Sequence, residues 1–372
     1  MTFFLFFKQI VDMLYNLKWL DGIMVLLVLV MLVYQYHLTR PDIKKMICSA
    51  DIIVATLIIL FTISFLKDVT QYLTYIKVLS AFLIYFLGRM YYERILECSE
   101  ALSSAAYLII GLNFLHRVFT YKTSFFSVQN ANGDFYSCDT EMAFAMVLGF
   151  IFIGMFARKS IKKIITMLII CPLMIINSDA GIQTILFAVI LFVMLMYVIE
   201  IALQKKRLAM IGLSLIITGL LIVVFLVHMP LITSDSNQIW VVLGNNHLLS
   251  AAHMDSRISE WKAIFDSKRP NSILEILFGL NLTTSAPLNS MYLKTYYSMG
   301  LTGILLTLAL IIRTFLAANK GDDRKSFYLT VMTAILVLGS GVATNSMERL
   351  QMSWFIMLFT GMVISASVYN PQ

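Results

Sequence analysis

Long apolar stretches recur along this chain from start to finish, and short polar or charged segments close each of them. A stretch of about 20 apolar residues matches the hydrocarbon thickness of a bilayer when it is helical. In lipid the backbone must satisfy its own hydrogen bonds, so a chain built this way folds as a bundle of membrane-crossing helices. Composition agrees. Hydrophobic residues make up 59% and charged residues only 13%, against about 25% charged in soluble domains. The expected fold class is all-α: a polytopic integral membrane protein with about 11 transmembrane helices and one large extracytoplasmic loop.

The spans read from the sequence are Leu20 to Tyr36, Ile52 to Leu66, Tyr72 to Met90, Ala101 to Phe119, Thr140 to Phe156, the short Ile164 to Ile176, Ile182 to Leu203 and Leu208 to Val227. Three more follow the large loop: Met291 to Phe315, Phe327 to Val342 and Met352 to Tyr369. This divides the chain into residues 1–228, eight spans with short connections; residues 229–286, the large loop; and residues 287–372, the last three spans. Residues 1–18 are apolar but interrupted by Lys8 and Asp12, and they read as an interfacial helix, with an extra span as the alternative. No small-residue cleavage site of a signal peptide follows them.

The formal net charge of +7 is explained by orientation rather than by nucleic acid. Arg40/Lys44/Lys45, Arg89/Arg94, Arg158/Lys159/Lys162/Lys163, Lys205/Lys206/Arg207 and Lys320/Arg324/Lys325 all fall in alternate loops. All five clusters can be cytoplasmic together, as the positive-inside rule requires. Residues 130–138, Ser178 to Gly181, the large loop and Asn345 to Gln351 are then outside. Cys48, Cys98, Cys138 and Cys171 show neither metal-ligand spacing nor a disulfide framework. His37, His116, His228, His247 and His253 are dispersed, so neither a metal nor another cofactor is expected.

Within the large loop, residues 253–270 read as an amphipathic helix starting at Asp255 or Ser256, with Met254, Ile258, Trp261 and Phe265 on one apolar stripe. A surface-lying cap with solvated charges is one reading. The sharper one makes Arg257 a phosphate clamp, since a guanidinium grips two phosphate oxygens at once, and turns the ring of Trp261 to a sugar or lipid headgroup. The apolar run 272–282 is too short to span and dips into the interface. Lys77 and Arg117 sit inside or near spans, where charge usually points to a cavity. For Lys77 snorkelling is the alternative, and for Arg117 an interfacial position is the simpler reading.

Asn289-Ser290, nine further residues, Gly300, two residues and Gly303 follow the loop. Upstream stand Ser256-Arg257, Trp261 and Phe278-Gly279. This order resembles the motif of the O-antigen ligase and Wzy-type polymerase superfamily over roughly residues 253–305. Where the ligases carry histidine this chain has Asn289, which cannot act as a base; the departure favours the polymerase branch. Where the family often has arginine in a Ser-Arg-Thr-Gly-like turn, this chain has Asp179.

The resemblance implies metal-independent glycosyl transfer between undecaprenyl-diphosphate-linked oligosaccharide repeats at the outer face of a bacterial inner membrane. Arg257 would stabilise the departing diphosphate, and Asn289 and Tyr292 would position sugar or diphosphate. Base candidates are His253, Asp255, Glu260 and Glu348; Ser290 and Trp261 would touch substrate. Arg349, Glu348 and Arg117 would flank the site, with Arg349 or Arg117 as a second clamp. Membrane lipids, a chain-length regulator and the flippase of the same pathway are the implied partners. A lipid-linked oligosaccharide flippase and an O-antigen ligase are the rival readings.

Overall fold

The computed structural model describes residues 1–14, 19–39, 47–67, 69–91, 95, 97–121, 135–136, 138, 139–178, 180–228, 254–267, 270, 272–279, 289–320, 324–342 and 344–369. Among the described residues every regular element is helical. In chain order these are α1 (Thr2–Met13), α2 (Trp19–Thr39), α3 (Ser49–Lys67), α4 (Tyr72–Met90), α5 (Ser99–Tyr121) and α6 (Asp139–Phe156). Then come α7 (Ile161–Ile165), a π-helical segment (Thr166–Ile170), α8 (Cys171–Ile176), α9 (Gly181–Leu203) and α10 (Lys206–His228). The large loop contributes α11 (Met254–Ser267) and α12 (Ile273–Phe278), and α13 (Met291–Lys320), α14 (Arg324–Ser340) and α15 (Leu350–Tyr369) complete the chain.

Nine of these helices are long and apolar enough to cross a membrane, and the protein is a polytopic membrane protein of the all-α class. The sequence-read spans six and ten fall on shorter helices. Span ten is the 17-residue α14. Span six is broken into α7, the π segment and α8. Pro172 lies just beyond the π segment, and a proline lacks the N–H that would continue the i to i−4 ladder, so the helix widens by one residue there.

α4, α6, α14 and α15 hold the centre, while α2 and α10 line the rim with exposed Leu, Ile and Val side chains suited to lipid. The tightest contact is α4 on α15, running in the same direction. A Cβ on Gly88 would lie 2.1 Å from the carbonyl oxygen of Leu358, and one on Gly361 would lie 2.1 Å from that of Tyr85. Glycine at both positions lets the two backbones touch, the usual device where lipid supplies no hydrophobic drive. Ser365 Oγ donates to the Arg89 carbonyl at 2.7 Å, and Trp354 Nε1 donates to Ser80 Oγ at 3.0 Å, fixing the register.

α1 corrects the interfacial reading of residues 1–18. It lies inside the bundle against α5: Gln9 Nε2 donates to the Leu102 carbonyl at 3.3 Å, and Asn113 Nδ2 reaches the Met13 sulfur at 3.5 Å. The reason is that a bilayer inverts amphipathicity. Phe3 and Phe7 face outward, whereas Lys8 and Gln9 are buried, Lys8 pairing with Asp12 and standing 4.8 Å over the Trp354 ring. Twelve residues rise only about 18 Å, so α1 is a part-length helix and not a full span.

The two ends of the bundle carry different sets of charged residues. Arg89 with Asp51, Arg324 with Glu200, and Lys325 over Phe156 mark one end. α11, α12, the start of α13 and the turn 345–349 share the other.

Candidate functional site

Three features meet at that second end: a glycine lock, a ladder of ion pairs and a deep cavity.

α11 is held by its apolar stripe. Trp261 is 1% exposed and packs with Leu293 and Tyr297 of α13 and with Val342, while Ile258 and Phe265 flank it. The ring expected to face a sugar or headgroup is therefore the anchor of the helix, because an amphipathic stripe buries its largest apolar member first. Arg257, just before Ile258, is half-buried, and Glu260 is exposed. The side chain of Asp255 and all of His253 lie outside the described residues.

α12 opens with a capping box: Ser272 Oγ accepts from Glu275 N–H at 3.2 Å, and Glu275 Oε2 accepts from Ser272 N–H at 3.3 Å. Its Ile273, Leu274 and Phe278 are exposed, as a helix resting on lipid would have them. Gly279 follows at φ +89° and Gly300 breaks α13 at φ +67°, ψ −164°. The two are interlocked. A Cβ on Gly279 would sit 2.7 Å from the Tyr297 carbonyl oxygen, and one on Gly300 would sit 2.3 Å from that of Leu277. The Phe-Gly pair and the later glycine, far apart in sequence, are two halves of one backbone contact.

The start of α13 is pinned to the end of α14. Met291 N–H donates to the Gly341 carbonyl at 2.8 Å, and Tyr292 hydroxyl donates to the Leu338 carbonyl at 2.8 Å. Ser290 is fully buried and its Oγ stands 3.5 Å from both the Gly341 carbonyl and Leu293 N–H, a helix-capping position. Ser290 and Tyr292 thus hold the fold here, and of that trio only Asn289 is exposed.

Across this end runs the ladder. Lys294 Nζ lies 3.4 Å from Glu348 Oε1; Arg349 pairs with Glu141; Arg117, 1% exposed, pairs with Asp139 and reaches the Asn177 carbonyl at 3.5 Å. Arg117 is therefore a buried member of an ion pair, not an interfacial charge. Asp139 and Glu141 both come from the first turn of α6, where carboxylates complement the helix dipole. Several buried polar atoms at this end make no hydrogen bond to the protein: Asp139 Oδ2, Ser340 Oγ, Asn345 Nδ2, Glu348 Oε1 and Gln351 Nε2. Such atoms are rare in native folds and call for a partner such as water, an ion or a ligand, or for a catalytic role.

The cavity begins among them. Lys294, Asn345 and Glu348 form its mouth, and α3, α4, α13, α14 and α15 its walls, through Leu57, Phe61, Phe82, Leu310, Val337 and Ile356 among others. Its volume is about 90 Å³. Four wall hydroxyls are turned to the backbone: Ser298, Thr307, Thr314 and Thr330 each donate to a carbonyl four residues back at 2.7–2.8 Å. The walls are mostly hydrocarbon, and the mouth is charged.

The sequence singles out Arg257, Asn289, Glu348, Arg349 and Arg117 but not Lys294, Asn345, Asp139 or Glu141. Paired acidic residues at the start of a span were the available signal for the last two. Among the described residues no group of three metal-ligating side chains occurs. The chain matches no protein-family model and no curated protein.

Proposed function

We propose that this protein is a glycosyltransferase that polymerises lipid-linked oligosaccharide repeats, an O-antigen or related surface-polysaccharide polymerase working at the outer face of a bacterial inner membrane. The observation that carries the reading is the meeting of the motif residues. Arg257 on α11, Gly279, Asn289 and Gly300 share one corner of the fold through the glycine lock and the Trp261 anchor. That corner lies at the end opposite the basic clusters, the end that the positive-inside rule puts outside the cell.

The cavity adds support from the chemistry of the substrate. A polyprenyl-diphosphate sugar is a long hydrocarbon with a charged, hydroxylated head, and the cavity pairs hydrocarbon walls with a mouth of Lys294, Asn345 and Glu348. In this reading the growing chain on its lipid diphosphate is the donor. The acceptor hydroxyl attacks the anomeric carbon, the bond to the diphosphate breaks, and Arg257 offsets the charge that develops on the leaving group. Asn289, exposed one residue before the buried Ser290, orients a sugar or diphosphate oxygen. Arg349 and Arg117 are engaged by Glu141 and Asp139; Arg257 is the arginine that the motif itself supplies.

The test is Arg257→Ala. Losing a guanidinium that neutralises the transition state is expected to cut chain growth by about 100-fold or more. Glycans of one repeat should remain on gels, with the protein at its normal level in the membrane. Long chains at wild-type abundance would remove Arg257 from the site.

A further inference from the structure

We propose that Glu348 receives the proton of the acceptor hydroxyl, and that Asn345 and Glu348 together hold that hydroxyl at the cavity mouth. The inference rests on the polymerase reading and supplies the base that Asn289 cannot be.

Residues 345–348 form a turn closed by Glu348 N–H donating to the Asn345 carbonyl at 3.2 Å. The turn points both side chains into one cavity. There Asn345 Nδ2, a buried donor, makes no hydrogen bond to the protein, and Glu348 Oε1, a buried acceptor, has the Lys294 ammonium 3.4 Å away but accepts no hydrogen bond from it. The pairing selects the ligand. A phosphate oxygen can accept from Asn345 but has no proton for Glu348, whose charge would repel it. An ammonium can donate to Glu348 but accepts nothing from Asn345. A hydroxyl does both, accepting from the amide and donating to the carboxylate. Lys294 Nζ, 3.4 Å from Glu348 Oε1, adds a positive charge at the mouth, placed for the phosphate end of the same lipid.

Of the other candidate carboxylates, Glu260 is exposed on α11, and the side chain of Asp255 lies outside the described residues. Glu348 lines the mouth and keeps contact with solvent, its side chain 24% exposed. The step balances without a co-reactant. The acceptor O–H proton passes to the Glu348 carboxylate as the new C–O bond forms at the anomeric carbon. The old C–O bond breaks with its electron pair leaving on the diphosphate, and Glu348 then releases its proton to water at the mouth. A positioned general base contributes about 10²–10⁴-fold.

The experiment incubates membranes holding wild-type, Glu348→Gln or Glu348→Asp protein with lipid-linked repeats extracted from a strain lacking the gene. Wild type is expected to elongate them. Glu348→Gln should bind the repeats and unfold at the wild-type temperature in detergent, yet elongate at least about 100-fold more slowly, with Glu348→Asp partly restoring the rate. Full elongation by Glu348→Gln overturns the assignment and leaves the polymerase reading standing. Loss of binding, or a lowered unfolding temperature in both variants, makes Glu348 structural and also overturns it. A wild-type protein that elongates nothing removes the polymerase reading itself, and this proposal falls with it.

Discussion

Gly300→Ala is expected to leave little folded protein in the membrane. At φ +67° and ψ −164° Gly300 occupies a region open essentially to glycine alone, and a side chain forced there costs about 1–3 kcal/mol in backbone strain. The added methyl would also lie 2.3 Å from the Leu277 carbonyl oxygen and 2.5 Å from Phe278 N. Those atoms are backbone and cannot swing aside. Either α12 is expelled from the kink of α13 or the kink straightens, and both separate α11 from the site. Strain and clash together put the loss at about 3 kcal/mol or more. Size-exclusion profiles of detergent-extracted protein, with fluorescence-detected unfolding, read the outcome. A normal profile and unfolding temperature for Gly300→Ala would show that the lock is not needed.

Arg117→Ala is expected to be at least as damaging, and a second change should cure it. Asp139 would be left buried with no cation, and breaking a buried ion pair from one side costs about 3–5 kcal/mol. Replacing both partners with hydrocarbon, Arg117→Met with Asp139→Leu, removes the two desolvation costs together and should recover most of that loss. The double variant also separates two roles for Arg117. Full chain growth with restored stability makes the pair purely structural. Restored stability without chain growth gives Arg117 a share in substrate binding. A double variant no more stable than Arg117→Ala would show that the pair does not account for the arginine's burial.

The spans were legible because membrane insertion is written in composition and length, and each sequence-read span lies on helical structure. α1 was not. A short apolar helix with Lys8 and Asp12 has the same pattern whether its polar face meets headgroups or a protein groove. Which one it meets depends on Gln9 finding the Leu102 carbonyl across the bundle, and no local pattern encodes that. The stripe of α11 was visible, but the partner of Trp261 was not, since Leu293 and Val342 belong to later elements. At the site, isolated arginines stand out in apolar sequence, whereas their carboxylate partners sit where helix-start acids are ordinary. Lys294 and Asn345 gain meaning only from the cavity that they share. The glycines were legible as a motif and became physical only when Gly279 and Gly300 were seen to face each other's backbones.

Deleting the gene from its source organism and resolving the surface glycan by size tests the polymerase reading most directly. A ladder that collapses to a single repeat attached to its normal carrier is the expected result. An unchanged ladder contradicts it. So does a glycan lost from the surface while long chains pile up on the carrier lipid, or single repeats trapped on the cytoplasmic side.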